Sequence, residues 1–74
     1  MTLDLARDAN AEVSIYEVVG RRVARLAQGP LAAGRHTLVW DGRDARGARA
    51  SAGVYFARAA SEGAIRTRRI VLGD

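Results

Sequence analysis

Glycine recurs at positions 20, 29, 34, 42, 47, 53, 63 and 73, and the single proline is Pro30. From residue 20 onward this punctuation leaves uninterrupted pieces of nine residues or fewer, whereas residues 1–19 contain neither glycine nor proline. An isolated helix needs roughly 12–15 residues to be even marginal in water, and each interior glycine weakens it by about 1 kcal/mol. Beyond residue 20 the spacing therefore argues against helices, and residues 11–18 alternate with period two rather than 3.6. The spacing favours short strands joined by turns, as in a sandwich or barrel.

The chain has 74 residues, which fits one small domain over residues 1–74. A domain of this size buries only about 60% of the surface its unfolded chain exposes. It contains no cysteine and one histidine, so neither a disulfide framework nor a Cys- or His-rich zinc site can supplement the core. No apolar run approaches the roughly 20 residues of a membrane-spanning helix. The opening MTLDLARDAN carries acids and lacks an apolar core, so it does not read as a signal peptide.

Alternation predicts six strands. Residues 2–6 form a short edge strand. Residues 11–18 alternate well, with Ala11, Val13 and Ile15 inward and Glu12, Ser14 and Tyr16 outward. Residues 22–28 show Val23 and Leu26 three apart, which looks helical, but the piece is too short and is read as a strand. Residues 29–34 are read as a loop and 35–40 as a strand with His36, Leu38 and Trp40 on one face. Residues 41–52 form a long connection. Residues 53–60 follow, with Tyr55, Ala57 and Ala59 inward and Val54, Phe56 and Arg58 outward. After a hairpin turn at 61–63 comes a last strand, 64–72. There Arg66 and Arg68 share a face with Ile70 and Leu72, a conflict that a β-bulge would resolve.

The net charge is +4, and all twelve basic residues are arginine. Residues 1–20 hold one arginine against four acids, whereas residues 21–74 hold eleven against four. Polyanion binding is therefore a fair question. Arg43, Arg46 and Arg49 share one loop, and Arg66, Arg68 and Arg69 cross the last strand. Nucleic-acid surfaces usually add aromatics for stacking. Of the four aromatics here, Trp40 and Tyr55 read as core. Nucleic acid is thus the weakest of the partner readings, and arginine on an edge strand also discourages aggregation.

The stretch WDGRDARGARASAGVYF, residues 40–56, is the most distinctive. Calcium requires six to eight oxygens at a spacing this stretch lacks. Asp41 and Asp44 are three apart, with Arg43 and Arg46 interleaved. Gly42 and Gly47 have the glycine spacing of a phosphate loop, but the Lys and Ser/Thr are missing. The structural reading is that Asp41 and Asp44 bond turn amides. No serine lies in a nucleophile motif, and His36 has no partner for a triad. No catalytic, metal or cofactor site is expected, and no small-molecule substrate.

VSIYEVVGRRVARL, then AAGRHTLVWDGRDARGARASAGVYFARA, then RRIVL resembles the Ig-like domain of flagellar hook-capping proteins. It is similar also to the C-terminal sorting domain of proteins exported by the bacterial type IX secretion system. The shared pattern is carried by Gly20, Gly34, His36, Trp40, Asp41, Gly42, Asp44, Gly47, Gly53 and Tyr55. The likeness implies an all-β, Ig- or fibronectin type III-like antiparallel sandwich of six to seven strands, without catalysis. Glu17 departs from the usual Asp, which removes a short side-chain bond to the turn. Ala57 and Ala59 are smaller than the pattern's residues, so an underfilled core is expected.

The resemblance implies the C-terminal module of a larger exported protein, at the cell surface or outside it. Its leading role is sorting or anchoring, recognised by secretion machinery through Arg66, Arg68 and Arg69. The alternative is a structural assembly module that contacts partner proteins, and the third is polyanion binding.

Overall fold

A computed structural model of the chain describes residues 1–73. It contains six strands: β1 (Thr2–Leu5), β2 (Ala9–Glu17), β3 (Arg22–Leu31), β4 (Gly34–Thr37), β5 (Gly53–Ser61) and β6 (Ala64–Leu72). They form two antiparallel sheets. One has the order β3-β2-β5-β6, and the other pairs β1 with β4. The chain is an all-β sandwich, as the sequence indicated.

The core lies between the sheets. Ala11, Val13 and Ile15 of β2 and Tyr55, Ala57 and Ala59 of β5 are all buried on one face. Leu3 of β1 packs onto Val13 and Ala59. Burying a side chain such as Ile15 fully contributes about 1.5–3 kcal/mol. Leu3 packs against Ala59, and Ala57 packs beside Ile15 and Ala24, while Ala59 also borders an open groove of about 240 Å³.

The two-stranded sheet is too narrow to cover all of the four-stranded one. The connection between β4 and β5 covers part of the remainder. Trp40 and Ala50 of that segment pack against the cluster of Ile15, Ala24, Tyr55 and Ala57. The second layer is thus part sheet, part ordered loop.

Strand β3 explains the helix-like spacing in its sequence. Its register with β2 slips twice, between Val13 and Ser14 and between Ile15 and Tyr16. Each slip sets two β3 residues against one on β2. As a result Val23 and Ala24, then Leu26 and Ala27, all pack toward the core. Arg22, Arg25 and Gln28 are left exposed at every third position. An extended strand therefore carries a period of three.

Two of the strands, β3 and β4, end elsewhere than expected. Gly29 and Pro30 belong to β3, opposite Ala11 and Asn10, rather than to a loop. Proline is tolerated there because β3 is an edge strand. Strand β4 ends at Thr37 rather than at residue 40, because β1 offers only four residues to pair. Leu38 and Met1 still exchange backbone bonds of 2.6 and 2.7 Å beyond the ladder.

The expected bulge in β6 does not exist. The β5–β6 register runs unbroken from Gly53↔Leu72 to Ser61↔Ala64. Arg66 and Arg68 do share the inward face with Ile70 and Leu72, since they stand opposite Ala59 and Ala57. They remain exposed because β6 is the sheet's edge and β1–β4 does not reach over its first half. Narrow cover, not a bulge, resolves the conflict.

Candidate functional site

The segment from Trp40 to Tyr55 is held mostly by its own hydrogen bonds, with one tie to β3 where the Ala45 amide donates to the Val23 carbonyl at 3.0 Å. Asp41 accepts a bond from the Arg43 amide at 2.9 Å. Asp44 accepts from the amides of Arg46 and Ala48 at 2.9 and 3.0 Å. These are short-range carboxylate-to-backbone bonds that replace a ladder. Gly47 has φ 85° and donates to the Asp44 carbonyl at 3.0 Å, a turn that a side chain would strain. The Arg43 guanidinium bonds the Gly47 carbonyl at 2.9 Å. Gly42 takes the same left-handed backbone region at φ 78° and accepts from the Ala50 amide at 2.8 Å.

Aromatic residues hold both ends. The Trp40 indole N–H donates to the Arg43 carbonyl at 2.9 Å. Its ring meets Tyr55 edge to face, with centroids 5.0 Å apart. The Tyr55 hydroxyl donates to the Ser51 carbonyl at 2.6 Å. A tyrosine at the start of a strand, bonded to backbone just upstream, is a corner device of Ig-like sandwiches. Ser51 carried no sequence signal for this role, because any residue supplies a carbonyl.

The other pattern residues sit at element ends. Gly20 lies in the β2–β3 turn, Gly34 opens β4 and Gly53 opens β5. His36 is half-buried and its Nε2 donates to the Ala32 carbonyl at 2.6 Å. Glu17 pairs with Arg21 at 3.1 Å instead of capping its turn through the side chain. Among the described residues, no three His, Cys, Asp or Glu side chains are grouped to hold a metal ion.

The arginines divide into two populations. Arg7, Arg21, Arg22, Arg25 and Arg35 each lie within 4 Å of a carboxylate. Glu12 alone holds both Arg22 and Arg25. Asp8 bonds the Ala33 amide. The acids of the described residues are therefore already engaged. Arg43, Arg46, Arg49, Arg58, Arg66, Arg68 and Arg69 have no carboxylate partner among the described residues. Arg43, Arg46 and Arg49 lie on the loop, with Arg46 and Arg49 lining an open cleft of about 440 Å³ against the β2–β3 turn. The rest lie on β5 and β6.

On the outward face of the large sheet, cross-strand register aligns Arg22, Tyr16, Phe56 and Arg69 in one row. The next row is Arg25, Ser14, Arg58 and Thr67. Ser14 is only 1% exposed although its side chain points outward. It stands between Arg25 and Arg58, whose long stems can cover a small neighbour. The Arg58 guanidinium lies 5.9 Å from the centroid of the Tyr16 ring. The juxtaposition of Arg58 and the Tyr16–Phe56 pair escaped the sequence reading, since only register brings them together. Of the candidate recognition residues, Arg69 faces outward in this row. Arg66 and Arg68 face the other side of the same strand. The three therefore share a strand but not a surface.

Comparison with known proteins adds one finding. A family model described as the FlgD Ig-like domain matches residues 1–64. A search of curated proteins found no match, and neither did a search of solved structures.

Proposed function

The chain belongs to the FlgD Ig-like domain family, and from that premise we propose that it is a structural assembly module. It works without catalysis or cofactor, as part of a larger exported protein at the cell surface or outside it. It contacts partner proteins through its charged flank. The observation that carries this reading is the arginine surplus on β5 and β6 beside a loop whose polar groups bond one another. Such a surface offers binding charge but no reactive constellation.

The resemblance alone placed sorting first. The matched model describes the hook-related Ig-like domain instead, which supports assembly over sorting. The candidate contact residues are Arg66, Arg68 and Arg69, with Arg58 added by register.

The test is deletion of the segment coding for this module in the source organism. Cell, surface and medium fractions are then blotted for the parent protein, and the assembled structure is scored. Normal export with failed assembly is the expected result. Retention of the parent inside the cell would overturn assembly in favour of sorting. Normal export with normal assembly would overturn both.

A further inference from the structure

Strand β6 is an edge with its backbone open. The β5–β6 turn has Glu62 at φ 45° and Gly63 at φ 83°, the two positive values of a type I′ hairpin. Such a turn bonds the residues flanking it, Ser61 and Ala64. Pairs then alternate along an antiparallel ladder. Ala64, Arg66, Arg68, Ile70 and Leu72 direct their backbone groups to β5. Ile65, Thr67, Arg69 and Val71 direct theirs to the free edge. The strand is nine residues long, contains no proline and has no register shift against β5. Ile65 and Val71 are 56% and 70% exposed.

We infer that the free edge of β6 accepts a β-strand from a partner protein, with carboxylates placed opposite Arg66, Arg68 and Arg69. This rests on the assembly reading and names its partner's chemistry. Strand addition uses main-chain bonds for affinity and alternate side chains for specificity. Directly opposed residues share a face. An antiparallel partner therefore reads acid-acid-x-acid, with β-branched residues opposite Ile65, Thr67 and Val71. The carboxylate opposite Arg66 adjoins an open groove of about 240 Å³ beneath the start of β6, lined in part by Leu3, Leu5, Ala59 and Arg66, whose own acids Asp4 and Glu62 already pair with Arg35 and Arg7.

A second copy does not fit this edge. Antiparallel self-pairing centred on Arg68 sets Arg68 against Arg68, and like charges directly opposed are destabilising. Nucleic acid is disfavoured because Arg58 already lies over the Tyr16 ring, which a base would need for stacking.

The test uses the 74-residue chain and a labelled, end-blocked peptide, Val-Thr-Glu-Glu-Val-Glu-Val, set against a scrambled peptide of equal composition. Fluorescence anisotropy should show the ordered peptide binding about tenfold tighter than the scrambled one, given the three registered charge pairs. Arg66→Glu with Arg68→Glu should weaken it by about tenfold or more. Thr67→Pro removes only an outward N–H and should abolish binding while leaving the fold intact. Hydrogen exchange on the unaltered chain should show peptide-induced protection of the Ile65, Thr67, Arg69 and Val71 amides.

Equal binding of the two peptides, undiminished binding by a folded Thr67→Pro chain, or no added protection would each overturn strand addition. Tighter binding of a thymidine oligomer, falling steeply with salt, would assign the surface to nucleic acid instead. These results bear on the edge alone. Deletion of the whole module tests the assembly reading separately.

Discussion

The four-stranded sheet has two edges, and they are built differently. Strand β3 is kinked by two register shifts, carries Gly29 and Pro30, and has its Arg22 and Arg25 held by Glu12. Strand β6 is straight in register, and its three arginines have no carboxylate partner among the described residues. Bulges, proline and satisfied charge are the devices by which proteins close an edge to further pairing. Edge β3 has them; among the described residues, edge β6 has only arginines without a carboxylate partner. The lesson is that charge on an edge repels copies of itself and, by the same physics, selects a partner of opposite sign.

The largest expected effect separates the two parities of β6. Arg68→Pro deletes a backbone donor that bonds β5 and leaves its acceptor unsatisfied, so it should cost about 2–3 kcal/mol. Thr67→Pro should stay within about 1 kcal/mol, because its N–H points outward. Urea denaturation of both variants reads the difference. Equal losses would break the assignment of the open edge.

Next comes the contribution of each edge to the core. Leu26 packs against both hydrophobic clusters, because a bulge turns it inward. Leu26→Ala should cost about 2 kcal/mol, whereas Ile65→Ala on the outward face of β6 should fall within about 0.5 kcal/mol. Thermal or chemical melts compare them. A neutral Leu26→Ala would mean that the bulges do not feed the core.

Between the edges, Tyr55→Phe removes the bond to the Ser51 carbonyl and should cost about 1–1.5 kcal/mol. Amide exchange in residues 41–52 should quicken in that variant. An unchanged rate would show that Trp40 and the aspartates order the loop unaided.

The smallest effect concerns the paired charges of β3. Glu12→Gln releases Arg22 and Arg25 from an exposed ion pair, which should cost less than about 1 kcal/mol. Its melting temperature in low and high salt should approach that of the parent as salt rises. A loss of several kcal/mol would show that Glu12 does more than close the edge.

How much of this was legible differs by element. The alternation of Val13 and Ile15, and of Tyr55, Ala57 and Ala59, gave strand identity and facing directly, because side chains alternate with period two wherever one face is buried. The Val23–Leu26 spacing looks helical but was rightly read as a strand, since a doubled bulge imitates a three-residue period. Pro30 read as a loop residue because the sequence does not declare which strand is an edge. Arg66 and Arg68 read as a bulge because the sequence does not declare how far the second sheet extends.

The candidate site was legible in part. Arg66, Arg68 and Arg69 were visible as a basic run, but their division between two faces needed the unbroken register with β5. Tyr16, Phe56 and Arg58 were each legible as outward, but the placing of Tyr16 beside Phe56 and Arg58 was not, since it comes from the pairing of strands far apart in the chain.

By itself the sequence determined an all-β chain of six strands, the inward sets on β2 and β5, and a loop made of aspartate and glycine bonds. Those properties follow from local chemistry: periodicity, turn residues and short side-chain-to-backbone bonds act within a few residues. Only the tertiary structure decided which strands are edges, which arginines are satisfied and which lie bare. Those depend on cross-strand register and on the reach of one sheet over another, and both arise from contacts between residues distant in the chain.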